Sequence, residues 1–145
     1  MTNIVLVKDI QGETVAVSAI GPTTTGTPAI TTGTAVAVLT GLAPAGSPTI
    51  YTTYKVNSLL IANAGSADAT VSVQFNVNNT SASTNTRTIF VNAVVIPAGA
   101  TLDVLSSPVY VNASTTTLIE KIEVFATGAN VNALVSYEAI KSETA

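Results

Sequence analysis

Cysteine, histidine and tryptophan are all absent from this chain. Without cysteine there is no disulfide and no thiolate chemistry, and the redox compartment is left open. Without histidine, the commonest general base and the commonest metal ligand are missing. Charge is scarce as well: 9% of residues are charged, against roughly 25% in an average soluble domain. The five basic residues, Lys8, Lys55, Arg87, Lys121 and Lys141, are scattered along the chain. They form no stripe that could neutralise a phosphate backbone, so no nucleic-acid partner is expected.

What remains is apolar or neutral. Hydrophobic residues make up 47% of the 145, and mean hydropathy is +0.50. That is enough for the core of one ordinary domain and argues against global disorder. Thr, Ser and Asn carry most of the polarity. A surface this poor in charge gains little solubility from it, and is expected to be covered by neighbours. The longest charge-free stretch, Thr14–Tyr54, is too rich in Pro, Gly and Thr for a membrane helix. The opening MTNIVLVKDIQG has no basic run before its apolar one, so neither a membrane location nor a signal peptide is expected.

Periodicity points to strands throughout. NIVLVKDIQGETVAVSAI reads as an N-terminal hairpin, Asn3–Lys8 and Glu13–Ile20 around a turn containing Gly12. Residues 21–48 hold Pro22, Pro28, Pro44 and Pro48 and read as an extended Thr/Pro/Gly-rich arm, interrupted by the short β-like run TAVAVL. Deleting 21–48 is therefore expected to leave a soluble fold. TIYTTYKVNSLLIANA (49–64) reads as strand, break, strand. In ATVSVQFNV (69–77), Val71, Val73, Phe75 and Val77 alternate with Ser72, Gln74 and Asn76, the pattern of a half-buried strand.

NNTSASTNT (78–86) reads as a long polar loop and RTIFVNAVVI (87–96) as a strand ended by the turn PAGA. TLDVL and PVYV are short strands broken at Ser106–Pro108. TTTLIEKIEVFA (115–126) and VNALVSYEAI (131–140) complete the set, and KSETA is a polar tail. Strands every 8–15 residues with no convincing helix predict an all-β fold, an antiparallel β-sandwich or jelly roll. The division expected is 1–48, hairpin and arm, and 49–145, the sandwich domain.

Chemistry is hard to find in this sequence. Ser and Thr have no histidine base to activate them. Glu120 and Glu123, the one close carboxylate pair with apolar neighbours, sit three apart on a predicted strand with Lys121 between them. They are expected on opposite faces as solvated charges. Asp68 and Asp103 are too isolated for an oxygen cage. There is no GxGxxG, P-loop or CxxC. The acceptor-like tripeptides at Asn78, Asn79 and Asn112 are chance matches in a Thr/Asn-rich chain. Tyr51, Tyr54, Tyr110 and Tyr137 could stack on sugars or fill sheet faces and subunit contacts. No catalytic, cofactor-binding or metal-binding residue is expected, and no cofactor.

Three stretches carry a resemblance: LLIANAGSADATVSVQFNV, TIFVNAVVIPAGATLDVLSSPVYV and NALVSYEAI. The run Pro97-Ala98-Gly99-Ala100-Thr101-Leu102-Asp103-Val104-Leu105 and the closing Ser136-Tyr137-Glu138-Ala139-Ile140 resemble a family of small virion proteins of tailed bacteriophages, common in phages of cyanobacteria. The resemblance covers roughly residues 49–140. It departs at Ala113–Leu118, where family members usually carry a Gly-Asp turn. It implies a non-enzymatic β-sandwich located in the virion, most simply a capsid decoration (cement) protein. The partners implied are other copies of itself, a trimer being favoured by lattice geometry, and the major capsid protein or another virion structural protein. A neck, tail or baseplate component is the alternative, and a receptor- or carbohydrate-binding sandwich a more distant one.

Overall fold

The computed structural model describes residues 5–17, 35–128 and 130–144. Nine strands run in chain order: β1 (Val5–Val17), β2 (Val36–Thr40), β3 (Ile50–Asn63), β4 (Ala69–Asn79), β5 (Thr84–Ile96), β6 (Thr101–Asp103), β7 (Val109–Asn112), β8 (Leu118–Ala126) and β9 (Val131–Thr144). There is no helix among the described residues.

The strands form two sheets, and every pairing is antiparallel. One sheet has the order β1-β9-β3-β6, with β7 pairing the same strand β3 further along; the other has the order β2-β8-β4-β5. β6 joins Leu60–Ala62 and β7 joins Thr53–Val56, so together they act as one strand interrupted at Ser106–Pro108. Counted that way, the chain places eight strands four to a sheet. It crosses between sheets at every connection except the β4–β5 hairpin. This is the jelly-roll connection of two Greek keys, and it bears out the predicted fold class.

Between the sheets lies a core of small, mostly β-branched side chains. Val56, Leu59 and Ile61 of β3, Val71 and Val73 of β4, Ile122 and Val124 of β8, and Val131 and Val135 of β9 have no exposed surface. Val56 and Leu59 are three apart, which breaks simple alternation. The register slips between Val56 and Ser58, so Asn57 bulges and both Val56 and Leu59 face inward. The bulge is the physical origin of the predicted break at this point; β3 is one continuous strand.

Four further expectations are corrected. β1 is a single thirteen-residue strand, not the first half of a hairpin. Gly12 sits inside it, paired with Glu138, and the whole strand takes its hydrogen bonds from β9. A sequence-local turn loses here to a long-range ladder twelve pairs long. The β-like run expected within the arm is a strand, but it belongs to the sandwich: residues 36–40 form β2 on β8 and bury Val38 and Leu39 in the core. Deleting 21–48 would remove that strand. Residues 21–34 of the arm lie outside the described residues. The loop 78–86 shrinks to the turn 80–83, because Asn78 and Asn79 continue β4 against Asn85 and Thr84. The tail KSETA is not loose: β9 continues to Thr144, pairing with β1 and β3.

Candidate functional site

The PAGA turn shows how one short motif works. Gly99 takes a left-handed φ of 76°, which glycine adopts without steric cost. Its N–H donates to the Asn63 carbonyl at 2.9 Å, and the Asn63 N–H donates to Ala100 O at 2.9 Å. The buried Asn63 amide then donates to Ala67 O at 2.8 Å and Ile96 O at 2.9 Å, and accepts from Gly65 N at 3.0 Å. Asp68 accepts from Ala98 N at 3.3 Å. One side chain therefore ties two loops to the end of β3. Asn63 was not singled out from the sequence, where nothing separates it from many other asparagines.

Of the residues considered for chemistry, the two glutamates do face opposite sides of β8, but neither is a simple solvated charge. Glu120 accepts from Asn112 N at 2.8 Å, closing the end of β7. Glu123 accepts from the side-chain amides of Gln74 and, at 3.1 Å, Asn76. Asn76 also donates to Asn85 Oδ1 at 3.1 Å. Gln74 is 1% exposed and Asn76 3%, so the polar side of β4 is as buried as its apolar side. β5 and β8 flank β4 on both sides and supply the hydrogen-bond partners Asn85 and Glu123, a tertiary effect that alternation cannot reveal. Asp68 and Asp103 stay apart. Among the described residues no group of three or more His, Cys, Asp or Glu could hold a metal ion, and no helix is long and apolar enough to cross a membrane.

The tyrosines do not form a stacking platform. Tyr54 and Tyr137 pack edge to face inside the sandwich, ring centres 4.8 Å apart. The Tyr137 hydroxyl donates to Glu13, fastening β1 to β9 by a side chain as well as by the ladder. Tyr110 is exposed and Tyr51 partly so.

Burial, together with the hydrogen bond to Glu13 and the charges of Glu13 and Tyr54, pushes the Tyr137 phenol up to about 12. Because the folded chain holds that proton more tightly, the stabilisation is fully present below pH 10. It is lost as pH rises from about 10 to about 12, with a slope of up to about 1.4 kcal/mol per pH unit. Tyr137→Phe is expected to flatten that alkaline slope in urea titrations, leaving the part that comes from Tyr54, whose phenol is also pushed up by burial and by Glu13.

The surface is where the molecule is distinctive. The outer face of the β1-β9-β3-β6 sheet carries Val7 and Ile10, each 60% exposed, and Leu134, 40% exposed, with no element among the described residues packed over them. Ala16, Leu60, Ala62 and Leu134 line a shallow groove of about 340 Å³ there. On the flank where β5 approaches the β6–β7 segment, Phe75, Phe90, Val104, Leu105 and Val109 line a second groove of about 350 Å³. Both hollows are open and mostly apolar, and neither gathers the convergent polar groups of a small-molecule site.

No protein-family model matches the chain, and no curated protein matches it. Among solved structures it is similar to a chain of infectious bursal disease virus, Gx strain, at 8% identity and a TM-score of 0.44, covering 94% of this chain and 37% of that one. A chain of the Gt strain gives 8% identity and a TM-score of 0.35, covering 98% of this chain and 38% of that one. The chain thus spans a little over a third of the length of either. Likenesses at this level carry no argument about function, which has to come from the molecule's own surfaces.

Proposed function

We propose that this chain is a non-enzymatic structural protein of a virion, most specifically a decoration protein that binds the outside of a phage head and reinforces the shell. The observation that carries the reading is an uncovered apolar surface on a jelly roll with very little charge. Val7, Ile10, Phe90, Val95, Tyr110 and Leu134 are all exposed, in a chain with only thirteen formally charged side chains. Such surfaces belong in contact with other protein. Jelly rolls serve viral capsids as well as lectins and cupins, so the fold permits this role without deciding it. The resemblance of residues 49–140 to small phage virion proteins gives the reading its direction.

Its mechanism is added interface. Copies spread over a capsid lattice bury apolar area and satisfy open strand edges through main-chain hydrogen bonds, which need no charge. That resists expansion of the shell and the pressure of packaged DNA. Particles assembled without the chain are expected to lose their DNA at lower temperature than complete ones, and adding the purified protein back should restore the difference. Unchanged thermal release, with no binding of the added protein, would count against a reinforcing role.

A further inference from the structure

The ladders set the lysines of this chain in different company. Lys8 pairs with Glu143 at 2.9 Å and Lys55 with Glu138 at 3.5 Å. Lys141 stands opposite Asp9 and Thr52. Lys121 stands opposite Thr40 on β2 and Asn76 on β4, and is the one lysine that a described ladder pairs with an asparagine. Among the described residues its ammonium has no ion-pair partner.

What surrounds that pair is specific. Direct partners on antiparallel strands share a face, with Cβ atoms about 4.5–5.5 Å apart, a gap that a lysine stem spans. Lys121 is half-buried and Asn76 is 3% exposed. Glu123 lies two residues beyond Lys121, hence on the same face of β8, and its carboxylate accepts from Asn76 Nδ2 at 3.1 Å. Arg87 completes the row, opposite Asn76 on β5. Among the described residues, the buried Asn76 Oδ1 accepts no hydrogen bond and the buried Arg87 Nε donates none. A nucleophile, an amide, a carboxylate on the amide nitrogen and an idle cationic donor are thus gathered on one sheet face.

We propose that Lys121 and Asn76 join in an isopeptide bond, with Glu123 carrying the proton. Lys121 Nζ gives a proton to the Glu123 carboxylate, and its freed lone pair attacks Asn76 Cγ. Negative charge gathers on Oδ1, where the Arg87 guanidinium is placed to stabilise it. The Cγ–Nδ2 bond breaks as Nδ2 takes the proton from Glu123 and leaves as ammonia. Nζ sheds its second surplus proton to that ammonia. Overall, a lysine ammonium and a primary amide become a secondary amide and an ammonium ion, so atoms and charge balance with no oxidant or other reactant. The bond would staple β4 to β8, the two inner strands of the order β2-β8-β4-β5. The inference goes beyond the proposed function and does not depend on it.

The test is the intact mass of the purified full chain after prolonged incubation. Wild type is expected to fall short of its sequence mass by one ammonia. Digestion should then release a branched peptide joining the segments that hold Asn76 and Lys121. Lys121→Arg keeps the positive charge but removes the nucleophile, and Glu123→Gln removes the proton carrier; both are expected at full sequence mass with no branched peptide. Lys121 is exposed enough that its arginine variant folds even if Glu123→Gln does not. A wild type at full sequence mass overturns the inference. So does an ammonia loss that persists in Lys121→Arg, which would arise at another amide, and so does a link that forms as completely in Glu123→Gln.

Discussion

Replacing Glu123 by alanine is expected to lower the unfolding free energy by about 3 kcal/mol, as much as hollowing a core position. The reason lies beneath it. The Gln74 and Asn76 amides are buried, and both donate to this one carboxylate. Without it, two buried donors lose a charge-assisted acceptor, each at a cost of about 1–3 kcal/mol when water cannot fully replace it. Glu123→Gln keeps one acceptor oxygen but loses the charge and sets an amide donor where the second oxygen accepted, and should fall about midway. Urea unfolding of the three proteins checks the order. An alanine variant within about 0.5 kcal/mol of wild type, the range of ordinary surface substitutions, would show that the network is solvated in practice.

The second large effect is expected at Gly41. A Cβ built there would collide with the backbone carbonyl of Asn112 and also come within 3.0 Å of Ala113 N. Gly41 itself is held by donating its N–H to Glu120 O at 2.8 Å, so it cannot retreat without giving up that bond. Since the obstacle is backbone, no rotamer change relieves it. Gly41→Ala should therefore cost about 3 kcal/mol or more by displacing β7 from β2. Gly12→Ala is the matched control, since nothing lies within 4 Å of its added Cβ. It should change stability by less than about 1 kcal/mol. Equal effects of the two substitutions would mean that the close approach of Gly41 to Asn112 does not persist in solution.

These two sites mark the boundary of what the sequence makes legible. The strands from Ala69 to Ile140 and the turns at 65–68 and 97–100 follow from alternation and turn chemistry, because those signals are local. β1 is not legible locally for the opposite reason. Gly12 looks like a turn until twelve partners on β9 are present to keep the chain extended. The four prolines of 21–48 suggested an arm, but none falls within the five residues of β2, so a short strand fits between them. The burial of Gln74 and Asn76 goes with their place between β5 and β8 and their bonds to Asn85 and Glu123, and no pattern within β4 records it. The bulge at Asn57 leaves a trace, a broken alternation, which in the sequence looks the same as an interruption of the strand.

The surface reading followed the same division. Low charge and abundant small apolar residues predicted a covered exterior, and exposed valines, isoleucine and phenylalanine are found on one sheet face and one flank. Which residues cluster there required the topology. Phe90 and Leu105 are distant in sequence and share a groove only because β5 and the β6–β7 segment border the same open side.

The most direct test of a shell-covering role is the number of copies in a purified particle, by quantitative mass spectrometry against the major capsid protein. A decoration protein should be present on the order of hundreds of copies per particle, in a fixed ratio to the shell protein set by lattice symmetry. A number near a dozen would contradict that account and place the chain at a neck, tail or baseplate instead.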